Sequence, residues 1–508
     1  MLRMTQIESG KVQGYPGTDA RITVFKGIPY AAPTGGKNRW RAPQPPEKWE
    51  GVRKCYAFGP ITMQKIPGED PNAFYSKEWH VDPQVPMGED SLVLNIWTPA
   101  NSVDEKLPVM MWIFGGAFKE GYAHEMEFDG ERIASRGVIL VSVAYRVNVF
   151  GFMCHPDITA EAPQSPANFG LLDQRYAMDW IKRNIASFGG DPDNVTIFGQ
   201  SAGGGSVWAH LCSPKARGAF ARAIPQSAGG VSYTYPMSNR RGRASLKEAE
   251  QQGTKFLKEW LGCHTVEEAR KLDAAYIEKR FLESGMMMGP VIDGIYQVGE
   301  YSDLIRENKL NPVPIMTGNT TNEFMVTPPA EDEEAVKSWI KDSFGPYADE
   351  YLAICRRIVE KENIPLSKAA AVGSFELGVQ LALEYFKKQG RTPYYYIFGP
   401  TIPGDDAGAF HSSDLWFEFE TLMKCWRPFD GHHYDLARKM CNYWTNFAKT
   451  GNPNGKDADG VPMPQWTPFT RENPQNLQFF DQIAMSAGPY SEKRAFLLRI
   501  NMEQKPGK

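Results

Sequence analysis

FGGDPDNVTIFGQSAG, residues 188–203, is the stretch that decides the fold, and Gly199, Ser201 and Gly203 give it the spacing G-x-S-x-G. VTIF before this motif predicts a short buried strand, and the small residues after Ser201 predict the start of a helix. A serine between such elements lies on a sharp, strained turn, where Gly199 and Gly203 prevent steric conflict. The turn exposes the hydroxyl at the positive end of the helix dipole, which favours the anion formed when a carbonyl is attacked. The stretch therefore indicates a nucleophilic serine.

Composition narrows the classes of protein that this chain can represent. Its 508 residues are 42% hydrophobic and 23% charged, which is ordinary for a soluble globular protein with a large core. The net charge of -4 gives no reason to expect a nucleic acid or an acidic membrane as a partner. No apolar run is long enough to cross a bilayer.

The cysteines and the N-terminus bear on compartment and on metal binding. The chain has 7 cysteines, an odd number without a CxxC motif, which predicts buried free thiols and neither a disulfide framework nor a zinc site. The N-terminal residues MLRMTQIESGKVQG lack the apolar core of a signal peptide. We therefore expect a cytoplasmic protein, or a secreted one that has already been trimmed, with no metal.

Apolar runs alternate with helical patterns along the chain. Residues 5–30 predict a small antiparallel ribbon with its turn at Gly14, Pro16 and Gly17, and residues 174–187 predict a helix. Most of the predicted strands are continuous apolar runs, as expected for strands covered on both faces. These strands are residues 91–98, 108–114, 138–145, 195–198, 219–226, 313–317 and 394–398. The alternation predicts an α/β layered fold with a large, mostly parallel sheet.

Residues 240–390 differ from the rest because helical patterns dominate them. We interpret this stretch as helical insertions that cover the active-site edge of the sheet, since no low-complexity linker separates it from its surroundings. The predicted helices are residues 244–261, 266–283, 332–361 and 366–389. The whole chain, residues 1–508, is thus predicted to be a single catalytic domain.

A nucleophilic serine needs a base, and in this arrangement the acid and then the histidine follow it along the chain. His264 comes too early to leave room for the acid, and His432 and His433 follow a Pro-Phe-Asp-Gly turn and are interpreted as surface residues. His411 lies in the small-residue loop GAFHSS, shortly after the strand YYYIF. We predict His411 as the base.

Two carboxylates compete for the role of the acid. Glu323 follows the predicted strand VPIMT and the polar loop GNTTN, so it lies at the carboxyl end of a strand. Asp293 is its main rival, although its setting PVIDG is typical of a turn. The pattern favours Glu323 and leaves Asp293 open.

The oxyanion formed by attack on a carbonyl needs hydrogen-bond donors. Gly116 and Ala117 lie in FGGAF, directly after the strand VMMWI, where a loop of this kind supplies backbone N–H groups. Ala202, the residue after the nucleophile, supplies another. The predicted oxyanion hole is therefore Gly116, Ala117 and Ala202.

With these residues placed, the chain resembles the type-B carboxylesterase family, which includes bacterial p-nitrobenzyl esterases and, more distantly, cholinesterases. The resemblance covers almost the whole chain. The motifs that carry it are FKGIPYA, WRAPQPP, EDSLVLNIWTP, WIFGGAF, NFGLLDQRYAMDWIKRNIASFGGDPDNVTIFGQSAGG, PVIDG and GAFHSSDLWF. It implies an α/β-hydrolase fold and a Ser-Glu-His triad whose glutamate lies five residues after a strand-ending glycine. Here that glycine is Gly318, which indicates Glu323 over Asp293.

Departures from the family pattern bear on the substrate. Ser91 stands where the family signature usually has a disulfide-forming cysteine, and Gln200 stands where cholinesterases carry a glutamate before the nucleophile. Cholinesterases place aromatic residues at four further positions around the pocket. Here these positions are Val326, Thr327, Ser284 and Met286. We therefore expect a wide apolar pocket rather than one for choline esters.

The resemblance implies a cofactor-free serine carboxylesterase with broad specificity for short to medium or bulky and aromatic esters. Its partner is expected to be a small-molecule ester, with no nucleic acid and no membrane anchor, and the chain is expected to be a monomer or a weak homo-oligomer. One alternative is a lipase that acts at lipid interfaces, with residues 63–88 as the candidate lid. The other is a non-catalytic recognition protein, against which the complete set of Ser201, Glu323 and His411 argues.

Overall fold

A mixed sheet of eleven strands runs through the computed structural model, which describes residues 1–79, 82–237, 242–457, 459–486 and 490–503. Two smaller sheets accompany it. The strands are β1 (Met4–Ile7), β2 (Gly10–Gln13), β3 (Tyr15–Pro16), β4 (Thr23–Pro29), β5 (Val52–Lys54), β6 (Val93–Thr98), β7 (Leu107–Ile113), β8 (Ile139–Val143), β9 (Gly190–Gln200), β10 (Arg222–Gln226), β11 (Met316–Thr320), β12 (Met325–Val326), β13 (Val372–Gly373), β14 (Tyr394–Phe398), β15 (Leu477–Phe479) and β16 (Ile483–Met485).

Helices connect and cover these strands. They are α1 (Phe74–Trp79), α2 (Glu131–Ala134), α3 (Asn148–Phe152), α4 (Pro156–Glu161), α5 (Phe169–Asn184), α6 (Ala202–Cys212), α7 (Leu246–Lys255), α8 (Val266–Ala269), α9 (Ala274–Ser284), α10 (Tyr301–Arg306), α11 (Glu333–Phe344), α12 (Ala348–Glu362), α13 (Leu366–Ala370), α14 (Ser374–Lys388), α15 (Leu415–Glu418), α16 (Gly431–Thr450) and α17 (Glu492–Met502). None of the helices in the described part of the chain has the length and apolar character needed to cross a membrane.

The large sheet confirms the predicted α/β fold with a mostly parallel sheet. Its strand order is β16-β15-β14-β11-β10-β9-β7-β8-β6-β4-β3. The run from β8 through β7, β9, β10, β11 and β14 to β15 is parallel, and antiparallel strands stand at both edges. The middle strands β7 and β8 are almost entirely buried, which accounts for their continuous apolar sequences. Because the parallel strands all end at the same edge, the loops after them converge there.

The predicted turn at Gly14 and Pro16 is wrong, because Tyr15–Pro16 form the edge strand β3. Pro16 pairs with Thr23 on β4, and the actual turn is closed by a hydrogen bond from Gly17 N–H to Ile22 O. A proline cannot donate a ladder hydrogen bond, and an edge strand tolerates this.

Two of the long predicted helices are divided. The helix predicted over residues 266–283 is α8 and α9, because the Asp273 carboxylate accepts hydrogen bonds from the first N–H groups of α9 and so starts a new helix. The helix predicted over residues 332–361 is α11 and α12, because Gly345 adopts a positive φ of 49° and Pro346 follows it. Amphipathic periodicity continues across both breaks and conceals them in the sequence.

A buried ion pair fixes the long helix α5 against the end of β8. The Arg146 guanidinium donates to both oxygens of Asp173, at 2.8 and 2.6 Å, and the Arg146 backbone N–H donates to the same carboxylate. Both side chains are almost completely buried, at 1% and 0% exposure. Such a pair is costly to break, because the remaining charge would be buried alone.

Candidate active site

Ser201 lies between β9 and α6, as the motif predicts. Its backbone has φ 58° and ψ -122°, which is a strained conformation for a residue with a side chain. Its N–H donates to Gln226 O at 3.0 Å, and the Gly205 N–H donates to Ser201 O at 2.8 Å. The turn is therefore held from β10 on one side and from its own helix on the other.

The glycines of the motif are required by close backbone contacts. A Cβ atom on Gly203 would lie 2.0 Å from the carbonyl oxygen of Ile113, and one on Gly199 would lie 2.6 Å from the same oxygen. Since Ile113 ends β7, α6 begins directly against the end of the neighbouring strand. No side chain fits between them.

Glu323 and His411 form a buried hydrogen-bonded pair. His411 Nδ1 lies 2.5 Å from Glu323 Oε2, and the other carboxylate oxygen accepts the backbone N–H of Thr320 at 3.0 Å. Burial opposes ionisation of Glu323, but the charge and hydrogen bond of His411 outweigh it and hold the pKa of Glu323 below its usual value. The carboxylate is thus kept ionised, as a group that orients an imidazole requires.

Aromatic rings hold the imidazole of His411. Phe375 is stacked on it, with ring centroids 5.2 Å apart and an interplanar angle of 25°. Phe324 lies at 4.6 Å, and the Tyr75 hydroxyl donates to the His411 carbonyl oxygen at 3.2 Å. Sequence reasoning did not find Phe375 or Tyr75, because both are distant along the chain from every motif.

The second imidazole nitrogen faces Gln200. His411 Nε2 lies 3.4 Å from Gln200 Nε2, and the Ser412 hydroxyl donates to Gln200 Oε1 at 3.0 Å. Ser201 and His411 line the same cavity, yet no hydrogen bond joins their side chains in the described part of the chain. The structure therefore forms the carboxylate–imidazole half of the predicted triad and brings the hydroxyl to the same pocket.

The loop after β7 presents backbone N–H groups to this cavity. Gly116 has φ 94°, Ala117 has φ 55° and Phe118 has φ 60°, so three successive residues have left-handed backbones. Gly116 and Ala117 line the cavity beside Ser201. Ala202 is the first residue of α6, where a helix leaves its N–H groups without internal partners. The predicted oxyanion residues thus lie where free donors are expected.

Asp293, the rival acid, is used elsewhere. One of its carboxylate oxygens accepts the backbone N–H groups of Ile295, Tyr296 and Gln297, and the other accepts from Asn168 Nδ2 at 2.8 Å. The Asn168 side chain also binds both backbone groups of Val291. PVIDG is therefore a turn that is fastened to the start of α5, not a source of the triad acid.

The rival histidines also lie outside the cavity. His264 is exposed. The interpretation of His433 as a surface residue is wrong, because its ring is buried and shares a hydrogen bond of 2.8 Å with Thr401 O. With Asp430 and His432 it forms the group of described side chains close enough together to hold a metal ion, at the start of α16. Asp430 already caps that helix and His433 already has partners, so these contacts have a structural role.

The cavity that contains Ser201 and His411 has a volume of about 520 Å³. Residues of the segment 64–79 form one wall and the loop after β7 forms another. None of the four positions from which the wide pocket was predicted lines this cavity among the described residues, so these positions do not bear on its width, and the wide pocket stays a prediction. They are Ser284, Met286, Val326 and Thr327. Only the packing of the folded chain shows which side chains reach the cavity.

A hydrogen bond between two buried hydroxyl groups joins the chain before the cavity-lining residues 64–79 to the chain after them. Thr62 Oγ1 and Ser91 Oγ lie 2.9 Å apart, and both side chains are buried. Ser91 occupies the signature position where the resembling family usually has cysteine. The buried Ser91 hydroxyl therefore has Thr62 as its hydrogen-bond partner.

Comparisons with known proteins match nearly the whole chain to one family. A family model described as "Carboxylesterase family" matches residues 2–497. The fumonisin B1 esterase of Sphingopyxis macrogoltabida is 30% identical, over 96% of this chain and 88% of that protein. The para-nitrobenzyl esterase of Bacillus subtilis is 32% identical, over 96% of both chains. A crystal structure of a Geobacillus stearothermophilus carboxylesterase is 29% identical with a TM-score of 0.74, covering 97% of this chain and 99% of that one.

Proposed function

The chain belongs to the carboxylesterase family, has the α/β-hydrolase fold and is a carboxylic ester hydrolase, and we propose that Ser201, His411 and Glu323 are its catalytic triad. The observation that carries the proposal is the buried pair of Glu323 and His411, which lies in the same cavity as a serine on a strained turn. A carboxylate, an imidazole and a hydroxyl in this order are the parts that acyl transfer needs.

In the proposed mechanism Ser201 Oγ attacks the ester carbonyl carbon while His411 Nε2 takes the hydroxyl proton. The tetrahedral intermediate then collapses, the bond to the alcohol oxygen breaks, and His411 returns the proton to the leaving alcohol. Water attacks the resulting acyl-enzyme by the same route, which releases the carboxylic acid and restores Ser201. Glu323 keeps the imidazole in the tautomer with its proton on Nδ1 and stabilises the charge that forms on it.

We propose that the oxyanion rests on the backbone N–H groups of Gly116, Ala117 and Ala202. The left-handed conformations of Gly116 and Ala117 support this assignment, because they turn successive N–H groups towards one side of the loop. Each such donor contributes about 3 kcal/mol of transition-state stabilisation in enzymes of this kind.

The proposed substrates are short to medium esters and bulky or aromatic ones. A cavity of about 520 Å³ has room for either, and its walls include the aromatic side chains of Tyr75, Trp79 and Phe128. The volume of the cavity supports this broad range of substrates. Ser284 and Met286, which precede PVIDG, do not support it because they do not line the cavity.

We propose that residues 1–508 act as one catalytic domain, as a monomer or a weak homo-oligomer. The stretch 240–390 contributes β11 to the large sheet and Glu323 to the site, which supports its being part of the same unit. The seven cysteines are all free, which supports a reducing compartment.

A lipase is the second candidate, and exposed apolar side chains at the cavity favour it. Ile66, Phe74 and Phe324 line the cavity and are 45%, 42% and 51% exposed. Charged residues surround Ile66, which argues for dissolved esters instead. If activity on tributyrin rises sharply at its solubility limit, the lipase is correct; a smooth saturation curve below that limit supports the esterase.

The proposal is tested with the p-nitrophenyl esters of acetate, butyrate, octanoate and benzoate. We expect the wild type to cleave them and Ser201→Ala to lose about a million-fold in kcat, because loss of the nucleophile in such triads has that cost. Equal rates for the two proteins would contradict the triad. Absence of activity on every ester would favour the non-catalytic recognition protein.

A further inference from the structure

Two phenylalanine rings contact the imidazole of the proposed base. Phe375 is stacked on His411, with ring centroids 5.2 Å apart and an interplanar angle of 25°, and the ring of Phe324 lies 4.6 Å from the imidazole. The two phenylalanine centroids are 6.0 Å apart, so the three rings form one compact cluster. His411 is only 4% exposed, and the rings therefore replace water beside it.

Backbone hydrogen bonds fix the distance between the two phenylalanine rings. Phe324 directly precedes β12 and Phe375 closely follows β13, and these two short strands pair with each other. The backbone N–H and the hydroxyl of Ser374 both donate to the Phe324 carbonyl oxygen, at 3.1 and 2.9 Å. The strand pair and this double hydrogen bond thus hold the rings together.

A second link holds this ring pair against the imidazole. The Asn322 backbone N–H donates to Ala409 O at 3.0 Å, which joins the loop that carries Phe324 to the loop that carries His411. Phe375 is attached to the first of these loops through Ser374. The backbone itself therefore keeps all three rings in contact, whatever occupies the cavity.

The proposed mechanism puts a positive charge on this imidazole. His411 takes the Ser201 proton when the ester carbonyl is attacked, and it keeps that proton until the alcohol leaves. The face of an aromatic ring carries negative charge density and attracts a cation that lies within about 6 Å of its centroid. Both phenylalanine rings meet this distance, and the exclusion of water strengthens the attraction.

We propose that Phe375 and Phe324 are positioning residues that stabilise the protonated form of His411 by cation–π attraction during acyl transfer. This inference rests on the proposed function, and it adds a second source of stabilisation to that of Glu323. The Glu323 carboxylate attracts the charge at the edge of the imidazole, through Nδ1, whereas the stacked Phe375 attracts it through the face. The two contributions act from different directions and do not compete.

Other ionisable and polar groups also face the imidazole from the elements around it. They are Glu323 after β11, Asp414 in the same loop as His411, Tyr75 on α1 and Gln200 at the end of β9. On α14, the Glu376 carboxylate is paired with Arg494. Burial raises the pKa of Asp414 to about 7. Substitutions of the two phenylalanines leave all of these groups in place, so a difference between the pH profiles reports the rings.

The pH profile of kcat/KM for p-nitrophenyl butyrate, between pH 5 and 9, tests the inference. Its acidic limb reports the protonation of the base, and the position of the limb does not depend on how much of the protein is folded. We expect Phe375→Leu to move the limb to lower pH by about half a unit to one unit and to lower kcat about three- to tenfold, as for a desolvated cation–π contact. Phe324→Leu, at a half-exposed position, is expected to give a smaller shift in the same direction.

A fluorinated ring is the decisive variant, because it keeps the shape and changes the charge distribution. Pentafluorophenylalanine incorporated at position 375 fills nearly the same space, but its fluorine atoms withdraw electron density from the ring face. We expect the acidic limb to move to lower pH, as in Phe375→Leu. Phe74→Leu is the matched control, because that ring lines the same cavity and its described ring contacts are with Tyr75 and Phe410. Its acidic limb is expected to stay at the wild-type position, whatever its rate.

Two outcomes would overturn the inference. An acidic limb that stays in place in the fluorinated variant would show that the ring only fills space. A limb that moves to higher pH in Phe375→Leu would show that the ring acts by excluding water, since water that enters stabilises the protonated imidazole. Ser201→Ala separates these results from a failure of the proposed function: if this variant loses activity, the triad stands even when the aromatic contribution does not.

Discussion

Gln200 places a neutral amide beside the imidazole of His411. Its amide nitrogen lies 3.4 Å from His411 Nε2, and its amide oxygen accepts the Ser412 hydroxyl. A neutral side chain at this distance adds no charge beside the imidazole. A carboxylate in its place would hold the proton on the imidazole instead.

Gln200→Glu therefore tests the charge at this position. His411 must be neutral to take the proton from Ser201, and a nearby negative charge stabilises the protonated ring. We expect the acidic limb of the pH profile of kcat/KM to move to higher pH by about one unit or more, as for an opposite charge within a few ångström. The profile is measured with p-nitrophenyl butyrate between pH 5 and 9.

Gln200→Ala is the matched control for this prediction. It removes the amide without adding a charge, so we expect its acidic limb to stay where the wild type has it, whatever its absolute rate. If the Glu variant gave the same profile as the wild type, Gln200 would not face the working base.

At the scale of the element, the contact between α6 and β7 is the most constrained junction in the site. A Cβ on Gly203 would lie 2.0 Å from Ile113 O and 2.9 Å from Phe114 O, and backbone atoms cannot move aside as a flexible side chain can. Gly205, two residues further along the same helix, has no backbone atoms close to the position of a Cβ. A Cβ there would meet only the Phe118 ring, at 3.5 Å.

We expect Gly203→Ala to displace the start of α6, lower the free energy of unfolding by about 3 kcal/mol and remove most of the esterase activity. Gly205→Ala is expected to keep activity and to gain up to about 1 kcal/mol from helix propensity. Thermal unfolding measures the stability of the two variants, and hydrolysis of p-nitrophenyl butyrate measures their activity. Similar behaviour of the two variants would show that the close approach of the strand does not matter.

These elements also show what the sequence could predict. Ser201 and Glu323 lie just beyond the ends of β9 and β11, and His411 lies in the longer loop after β14. The order of the strands along the chain is visible in their apolar runs. The need for glycine at position 203 could be predicted, because the sharp turn at Ser201 leaves no room for a side chain there. The strands and the three site residues are therefore local features, which motif and periodicity are enough to locate.

Other features depend on contacts between distant parts of the chain. Phe375 lies on α14 and stacks on His411, and Asn168 fastens Asp293 across 125 residues. Glu127 lies in a polar-looking stretch, HEMEFDG, whose burial follows only from packing over it. No local pattern contains such information, which is why the surroundings of Asp293 and His433 could not be predicted from their motifs.

At the scale of the whole molecule, buried carboxyl groups make stability depend on pH. Burial raises the pKa of Glu125 and of Asp414 to about 7, and it raises the pKa values of Glu127 and Glu418 further above the usual range. In the unfolded chain these groups lose their protons near pH 4 to 4.5. The folded protein therefore holds protons, over the neutral range, that the unfolded chain has released.

Buried histidines change the pH dependence of stability in the opposite direction, but they do so at lower pH. Burial lowers the pKa of His124 to about 4 and that of His210 to about 3. The unfolded chain binds protons at these positions below about pH 6.5, so their effect destabilises the folded state only in that range. As the pH rises above 6.5 the histidines of the unfolded chain also lose their protons, and the buried carboxyl groups then decide the slope.

We therefore expect the free energy of unfolding to fall as the pH rises from 6.5 to 8, because the folded state binds more protons than the unfolded state there. Each carboxyl group that is still protonated contributes about 1.4 kcal/mol per pH unit to the slope. Chemical unfolding at pH 6.5, 7.25 and 8 measures how the free energy of unfolding changes with pH. Glu418→Gln removes one such group and should make the slope shallower, whereas Glu267→Gln, at an exposed surface position, should leave it unchanged. A stability that rises through this window would mean that the buried carboxyl groups are ionised in the folded protein.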